Sequence, residues 1–285
     1  MKARIVAVAV LAMAVTDASA AIKSLSRVLF ILPLGLLFSA AALTQGAPDS
    51  STRPPPPTFS RAQIQSALEA GVDLRKVNTT PGLHIVPLSE TWSTAEEAEI
   101  LRDQVEQQRS RGFYLVEPRK IPDIKVAMKA ASNQRGFVPR HDRTFRSLVE
   151  VQHDILVRPV TLGTSDLASA RLLEVRLAGS YQKDKWTGVA RTFDVGDLGL
   201  VILEETDYVA GRDSVTVIKE WVNTDVNGHR GTVKTARDRA GRSLVLVGWA
   251  DQSKLYSLQL HPRHPEANEA NQARLMEIAR KLAAG

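Results

Sequence analysis

Paired carboxylates offer the first chemistry in this chain: Glu204-Glu205 with Asp207, at the end of an apolar run. Two carboxyls on one face can act as acid and base in sugar hydrolysis, or as oxygen ligands for calcium. Strand alternation sets Glu204 with Thr206 on one face and Glu205 with Asp207 on the other, so at most half of the cluster converges. A solvated strand end is the plainer reading. Histidines offer a second chemistry. His261 and His264 are three apart and can be two metal ligands, but zinc needs three or four and no third is specified. Prolines on both sides of His264 make that segment an irregular connector between a strand and a helix. His141-Asp142 and His153-Asp154 place a carboxylate beside an imidazole, yet neighbours on a strand point to opposite faces and form no dyad. The sequence contains no G-x-S-x-G, no H-E-x-x-H and no phosphate-binding glycine loop. It also contains no cysteine, which excludes a thiol nucleophile, thiolate metal sites, a disulfide scaffold and the acylated cysteine of a lipoprotein. No catalytic residue, metal site or cofactor is therefore expected.

Binding chemistry is better represented. Between Arg102 and Arg146 basic residues outnumber acidic ones by about two to one, and Arg135, Arg140, Arg143 and Arg146 are the candidate binding residues. Such a patch can meet lipopolysaccharide, anionic phospholipid or a polymer phosphate; the plainer reading is a solvated face with scattered charges. Only Phe113, Tyr114, Phe137 and Phe145 accompany it, which argues against a groove that stacks single-stranded nucleic acid. Trp186, Trp221 and Trp249 read as core fillers, although two on one exposed face would suggest sugar contact. Asn78-Thr79-Thr80 fits the glycosylation acceptor pattern, which a bacterial product would ordinarily leave unused.

The elements that must position these residues change character along the chain. Ser60 can cap a short helix carrying Ile64, Ala67 and Leu68, stopped by Gly71. Ser93-Thr94 followed by Glu96-Glu97 forms a capping-box pattern, with Ala98, Leu101 and Val105 at helical spacing up to Gly112. From about Leu148 the period becomes two. Expected strands are Leu148–Val157, Arg171–Gln182, Trp186–Val195, Leu200–Val209, Val215–Val226, His229–Arg237, Ser243–Ala250 and Leu255–Leu260. Asn227-Gly228 suits a tight hairpin turn, and Asp238–Gly241 and Asp251–Ser253 make two more reversals. Val215–Leu260 is thus predicted as four consecutive antiparallel strands. A closing helix carries Ala270, Leu275, Ile278, Ala279 and Leu282 and should cover one face of the sheet.

Ahead of this lies addressing. Two apolar stretches, Ile5–Val15 and Val28–Leu43, each follow basic residues and each run into small residues suited to cleavage. A membrane hairpin is disfavoured, because the N-terminus and the Ala18–Arg27 loop would lie on opposite sides although both carry positive charge. The preferred reading starts translation at Met13, or at a non-AUG codon just before Arg27, with Val28–Leu43 as the signal core; an uncleaved anchor is the alternative. Gly46–Thr58, with the Pro54–Pro57 run, reads as an extended tether. The formal charge of +6 falls by about half once the leader is removed, so basicity is weak evidence for nucleic acid.

The tail Val226-Asn227-Gly228, Gly241, Trp249, Asp251, Tyr256-Ser257-Leu258 and Ile278-Ala279-Arg280-Lys281-Leu282 resembles the end of small extracytoplasmic sensor-type modules of the DUF4367 kind. More distantly it is similar to the β-sheet domains of the LolA and MucB/RseB group. The resemblance covers about a quarter of the chain, and it implies partner or lipid binding in the envelope without catalysis. The expectation is an α+β fold: an antiparallel meander packed against a C-terminal helix, with a mostly helical N-terminal region. Residues 1–46 are the leader, 47–58 the tether, 59–146 the polar helical region and 147–285 the sheet with its helix. The expected protein is exported, periplasmic or secreted, or alternatively anchored by its N-terminus in the inner membrane. It would bind an envelope protein or an anionic polymer or lipid surface, with no nucleic acid and no stable span after cleavage. A secreted hydrolase acting on an envelope polymer, and a structural subunit of an envelope complex, are the competing readings.

Overall fold

The computed structural model describes residues 80–91, 95–117, 120–121, 123 and 143–282. The leader, the tether and the helix expected after Ser60 lie outside the described residues. The chain forms a mixed fold whose main sheet is mostly antiparallel and is closed by a C-terminal helix. Among the described residues no helix is long and apolar enough to cross a membrane.

Ten strands are described: β1 (Gly82–Val86), β2 (Tyr114–Val116), β3 (Arg171–Gln182), β4 (Lys185–Asp194), β5 (Gly199–Asp207), β6 (Ser214–Ile218), β7 (Thr224–Val226), β8 (His229–Asp238), β9 (Ser243–Ala250) and β10 (Lys254–Pro262). The main sheet runs β2-β8-β9-β10-β5-β4-β3, with β7 paired to β8 and only β2–β8 parallel. Turn chemistry sets the register. Asn227 and Gly228 take φ of 54° and 85°, the left-handed pair that a two-residue hairpin needs, and Val226 then faces His229 across the ladder. Asp225 Oδ1 accepts from the Gly228 amide, fixing the same turn.

Two helices cover opposite faces. Helix α1 (Ala95–Arg111) buries Ala98, Leu101 and Val105, the stripe expected from their spacing. Helix α2 (Asn268–Lys281) buries Leu275, Met276, Ile278 and Ala279, whereas Ala270 is exposed, one position outside the stripe. Alternation along β9 divides the core. Val245, Val247 and Trp249 point to α2, while Leu244 and Leu246 point to α1 with Leu88, Tyr114 and Trp221. Both faces of the central strands are therefore dry, which explains the nearly continuous apolar run Leu244–Val247.

Two expected strands are corrected. Leu148–Val157 is a chain of turns held by isolated bridges, Phe145 to Val175 and Ile155 to Trp186. Glu150 Oε1 accepts from the Arg146 amide and the Ser147 hydroxyl, which favours the turn over a ladder. Val151, Ile155 and Val157 plug the α2 side of β3 and β4 against Val175, Leu177 and Val189, so their spacing reflects burial without strand pairing. Val215–Val226 is broken in two. A 3₁₀ turn at Lys219–Trp221 swings Trp221 into the core and sends β6 out of the main sheet to pair in parallel with β1. The continuous meander is thus β8–β9–β10 with the short β7, and the polar region expected to be helical supplies two strands, β1 and β2.

Residues 158–160 are clamped to the sheet. Arg191 and Glu205 form an ion pair at 2.6 Å on the α2 side, with side chains 3% and 0% exposed. Arg191 Nη2 also donates to the Val160 carbonyl at 3.0 Å, and Glu205 Oε1 accepts from the Val160 amide at 2.6 Å. Lys254 Nζ donates to the Arg158 carbonyl at 2.7 Å.

Candidate functional site

Between the β1–β6 pair and the α1 side of the main sheet lies a narrow cleft. It exists because β1 and β6 pair with each other and stand over β8 and β9. Leu83 and Val215 meet directly in the register and pack toward Tyr208, Ala250 and Leu255. Leu83, Ile85, Val217, Ile218 and Trp221 form apolar walls. Gly248, beside Thr232 in the register, lies on the floor without a side chain. The enclosed volume is about 20 Å³, room for one or two water molecules.

Lys234 and Thr232 provide the polar groups of this cleft. They sit two apart on β8 and so share a face. Lys234 is 7% exposed, and its ammonium lies 4.3 Å from the centroid of the Trp221 ring. Tyr114 meets that ring edge-on at 5.4 Å and fixes its plane. A cation over an indole face in a desolvated site gains ~2 kcal/mol, less than a buried charge loses. Burial alone pushes the Lys234 pKa down, to about 7. The Thr232 hydroxyl is buried and has no hydrogen-bond partner among the described residues. The site thus presents an ammonium and a hydroxyl inside apolar walls.

Thr232 also begins a row that runs across the sheet. The registers place Thr232, Gly248, Ser257, Glu204, Ala190 and Arg176 side by side on the α1 side. Ser257 Oγ, Glu204 Oε2 and Arg176 Nε and Nη2 are buried without hydrogen-bond partners among the described residues. Arg176 Nε is 3.3 Å from Glu174, close enough for attraction but not aligned as a hydrogen bond. Burial raises the Glu204 carboxyl to about 7, against the pull of Arg176. Orphaned polar groups of this kind are rare in folded chains and cluster where something polar is held or exchanged.

The sequence-derived candidates fall elsewhere. Arg135 and Arg140 lie outside the described residues. Arg143 and Arg146 are exposed at the start of the segment that covers the α2 side, on the face away from the cleft. Glu204 and Glu205 do take opposite faces, but neither is solvated: Glu204 is 5% exposed and Glu205 is sealed against Arg191. The solvated strand end is corrected, because both faces of β5 are covered. Burial pushes Glu205 up, opposed by the Arg191 guanidinium and the Val160 amide. Asp207 caps the turn after β5 by accepting from the Ala210 amide.

His261 is half-buried, with desolvation lowering its pKa to about 4, whereas His264 is exposed, 3.3 Å from Glu266. Among the described residues no group of three or more His, Asp or Glu can hold a metal ion. His153 and Asp154 lie in turns, and His141-Asp142 lies outside the described residues. Trp249 stacks on Tyr256 at 4.9 Å in the α2-side core, so Trp221 and Trp249 serve opposite faces.

Sequence reasoning missed Lys234 and Thr232. Their alternation with Val233 and Thr235 is visible, but an inward lysine cannot be told from a solvated one unless α1, β1 and β6 are known to cover that face.

No family model matches the chain, and no curated protein matches it. Among solved structures, a GTP binding regulator from Thermotoga maritima is similar at 15% identity, covering 43% of this chain and 84% of that chain with a TM-score of 0.24. A likeness at that level carries no argument about fold or function.

Proposed function

We propose that this protein is an exported cell-envelope binding module, non-enzymatic, that holds an anionic group in the cleft beneath the β1–β6 pair. The observation that carries the reading is Lys234: a buried lysine whose ammonium has a ring contact and, among the described residues, no carboxylate partner, on the strand face that also carries the unpaired Thr232 hydroxyl. A fold optimised for stability alone would place an apolar side chain there. The doubled apolar leader, the proline tether and the tail similar to extracytoplasmic modules support export, and the described part of the polar region, β1 and α1, closes over the sheet. The partner is an envelope polymer, lipid or protein that presents a negative group.

The test is a titration of the purified chain with chloride, acetate and inorganic phosphate, followed through tryptophan fluorescence. Saturable binding that Lys234→Met removes supports the reading; absence of any saturable response to anions overturns it. A charge-reversed Arg135/Arg140/Arg143 variant separates the surface patch from the cleft, and it should leave the acetate response unchanged. Sequencing the mature N-terminus by mass spectrometry tests export, and a peptide starting at Met1 would contradict the assigned signal core.

A second reading, a secreted hydrolase acting on an envelope polymer, draws on Glu204. A carboxyl held near 7 directly opposite the Ser257 hydroxyl, which has no partner among the described residues, has the protonation range of a general acid or base. Turnover of an envelope polymer that disappears in Glu204→Gln would favour it over binding alone.

A further inference from the structure

Building on the anion-binding reading, we infer that the ligand class of the Lys234 cleft is a monocarboxylate with a hydrocarbon tail. Its carboxylate would sit between the Lys234 ammonium and the Thr232 hydroxyl, and its tail would run along Leu83, Ile85 and Val217. Three properties of the cleft lead there.

Charge comes first. One ammonium faces the interior, and a single negative charge brings the buried total to zero, whereas a divalent phosphate or sulfate would leave an uncompensated charge among apolar walls. Arg230 stands at the rim, exposed, and Asp225 lies opposite it in the ladder, so the rim adds little net charge. Donor geometry comes second. Lys234 and Thr232 are two apart on one strand, which spaces their side chains about 7 Å apart at the backbone and lets them converge on the two oxygens of one carboxylate. An ammonium and a hydroxyl both donate, and only an acceptor satisfies both.

The walls come third. A cavity of about 20 Å³ accommodates the head of such a ligand and little more, so the tail must lie along the cleft where β1 and β6 present alternating apolar residues. Halide or formate would leave that surface unused. A hydrocarbon tail removes it from water, and each buried methylene tightens binding about fourfold.

The experiment uses the full purified chain at pH 6, titrated with acetate, butyrate and hexanoate, with hexanol and chloride as controls. The readouts are tryptophan fluorescence and the Trp221 indole N–H resonance. The expected result is saturable binding that tightens about fourfold per methylene, no comparable response to hexanol, and loss of at least tenfold in affinity in Lys234→Met. Thr232→Val, a near-isosteric change, is the second variant; it should weaken hexanoate several-fold while the fold, read by far-ultraviolet circular dichroism, is kept. Equal binding of chloride and hexanoate would overturn the monocarboxylate assignment and leave the anion cleft standing. No response to any anion would overturn both. Hexanoate binding that survives both substitutions would move the ligand to another place and refute the assignment.

Discussion

Lys234→Met should make the protein more stable at neutral pH. Methionine keeps the length of lysine and fills the same apolar space without an ammonium. The folded state holds the Lys234 amine near 7 instead of its ordinary 10.5, which at 1.36 kcal/mol per pH unit sets an upper bound of about 5 kcal/mol on the destabilisation. The contact with Trp221 at 4.3 Å is already part of the folded environment, and relaxation of the side-chain tip toward the mouth reduces the effect further. The expected net gain is ~1–3 kcal/mol at pH 6.

The pH dependence identifies the cause. Between about 7 and 10.5 the unfolded chain keeps a proton that the folded chain has released, so wild-type stability rises with pH across this window. The methionine variant lacks that rise. Its advantage should therefore be fully present below pH 7, shrink through pH 8 to 9, and vanish near 10.5. Urea denaturation of both proteins at pH 6, 8 and 10 measures this directly. A variant that is less stable at pH 6, or a difference that does not change with pH, would refute the buried, unpaired lysine on which the site rests.

Other perturbations test the surrounding structure. Glu204 titrates near 7, above its ordinary 4.5, so the folded chain retains a proton the unfolded chain has lost; stability falls as pH rises across that window. Glu204→Gln should remove that fall and raise stability above pH 7 by ~1–2 kcal/mol, and with Lys234 it places a local minimum of wild-type stability near neutrality, visible in a melting-temperature series from pH 4 to 10. Arg191→Met leaves the sealed Glu205 carboxylate without its cation and the Val160 carbonyl without its donor, while the Val160 amide keeps Glu205, and should lose ~3–5 kcal/mol in denaturant unfolding. Leu275→Ala removes a fully buried side chain where α2 meets the sheet and should lose ~2–5 kcal/mol; a loss under 1 kcal/mol would mean that the helix is not docked as described.

Local signals were legible where one residue type dictates geometry. The Asn227-Gly228 turn, the Ser243–Ala250 strand and the Leu275/Ile278/Ala279 stripe follow from positive φ, from β-branched apolar runs and from helical spacing. Legibility failed where burial depends on distant partners. Val151, Ile155 and Val157 look like a strand because plugs that cover a sheet also recur at short intervals. The break at Lys219–Trp221 is invisible without β1, the parallel partner more than a hundred residues earlier that draws β6 away. Glu204 and Lys234 were misjudged or passed over for one reason: alternation assigns a face, but only the covering elements decide whether that face is wet. That is also why the candidate site surfaced from geometry, while Arg143 and Arg146, the described ones among the arginines singled out by charge, lie on the other face.

Whether the Lys234 cleft holds an anionic group is tested most directly by hexanoate affinity at pH 6 and pH 9 for wild type and Lys234→Met. Wild type should bind saturably at pH 6 and more weakly at pH 9, where the amine has lost its proton, and Lys234→Met should bind at least tenfold more weakly than wild type at pH 6. Equal affinity in both proteins, or wild-type binding that is the same at the two pH values, would contradict an anionic group in the cleft.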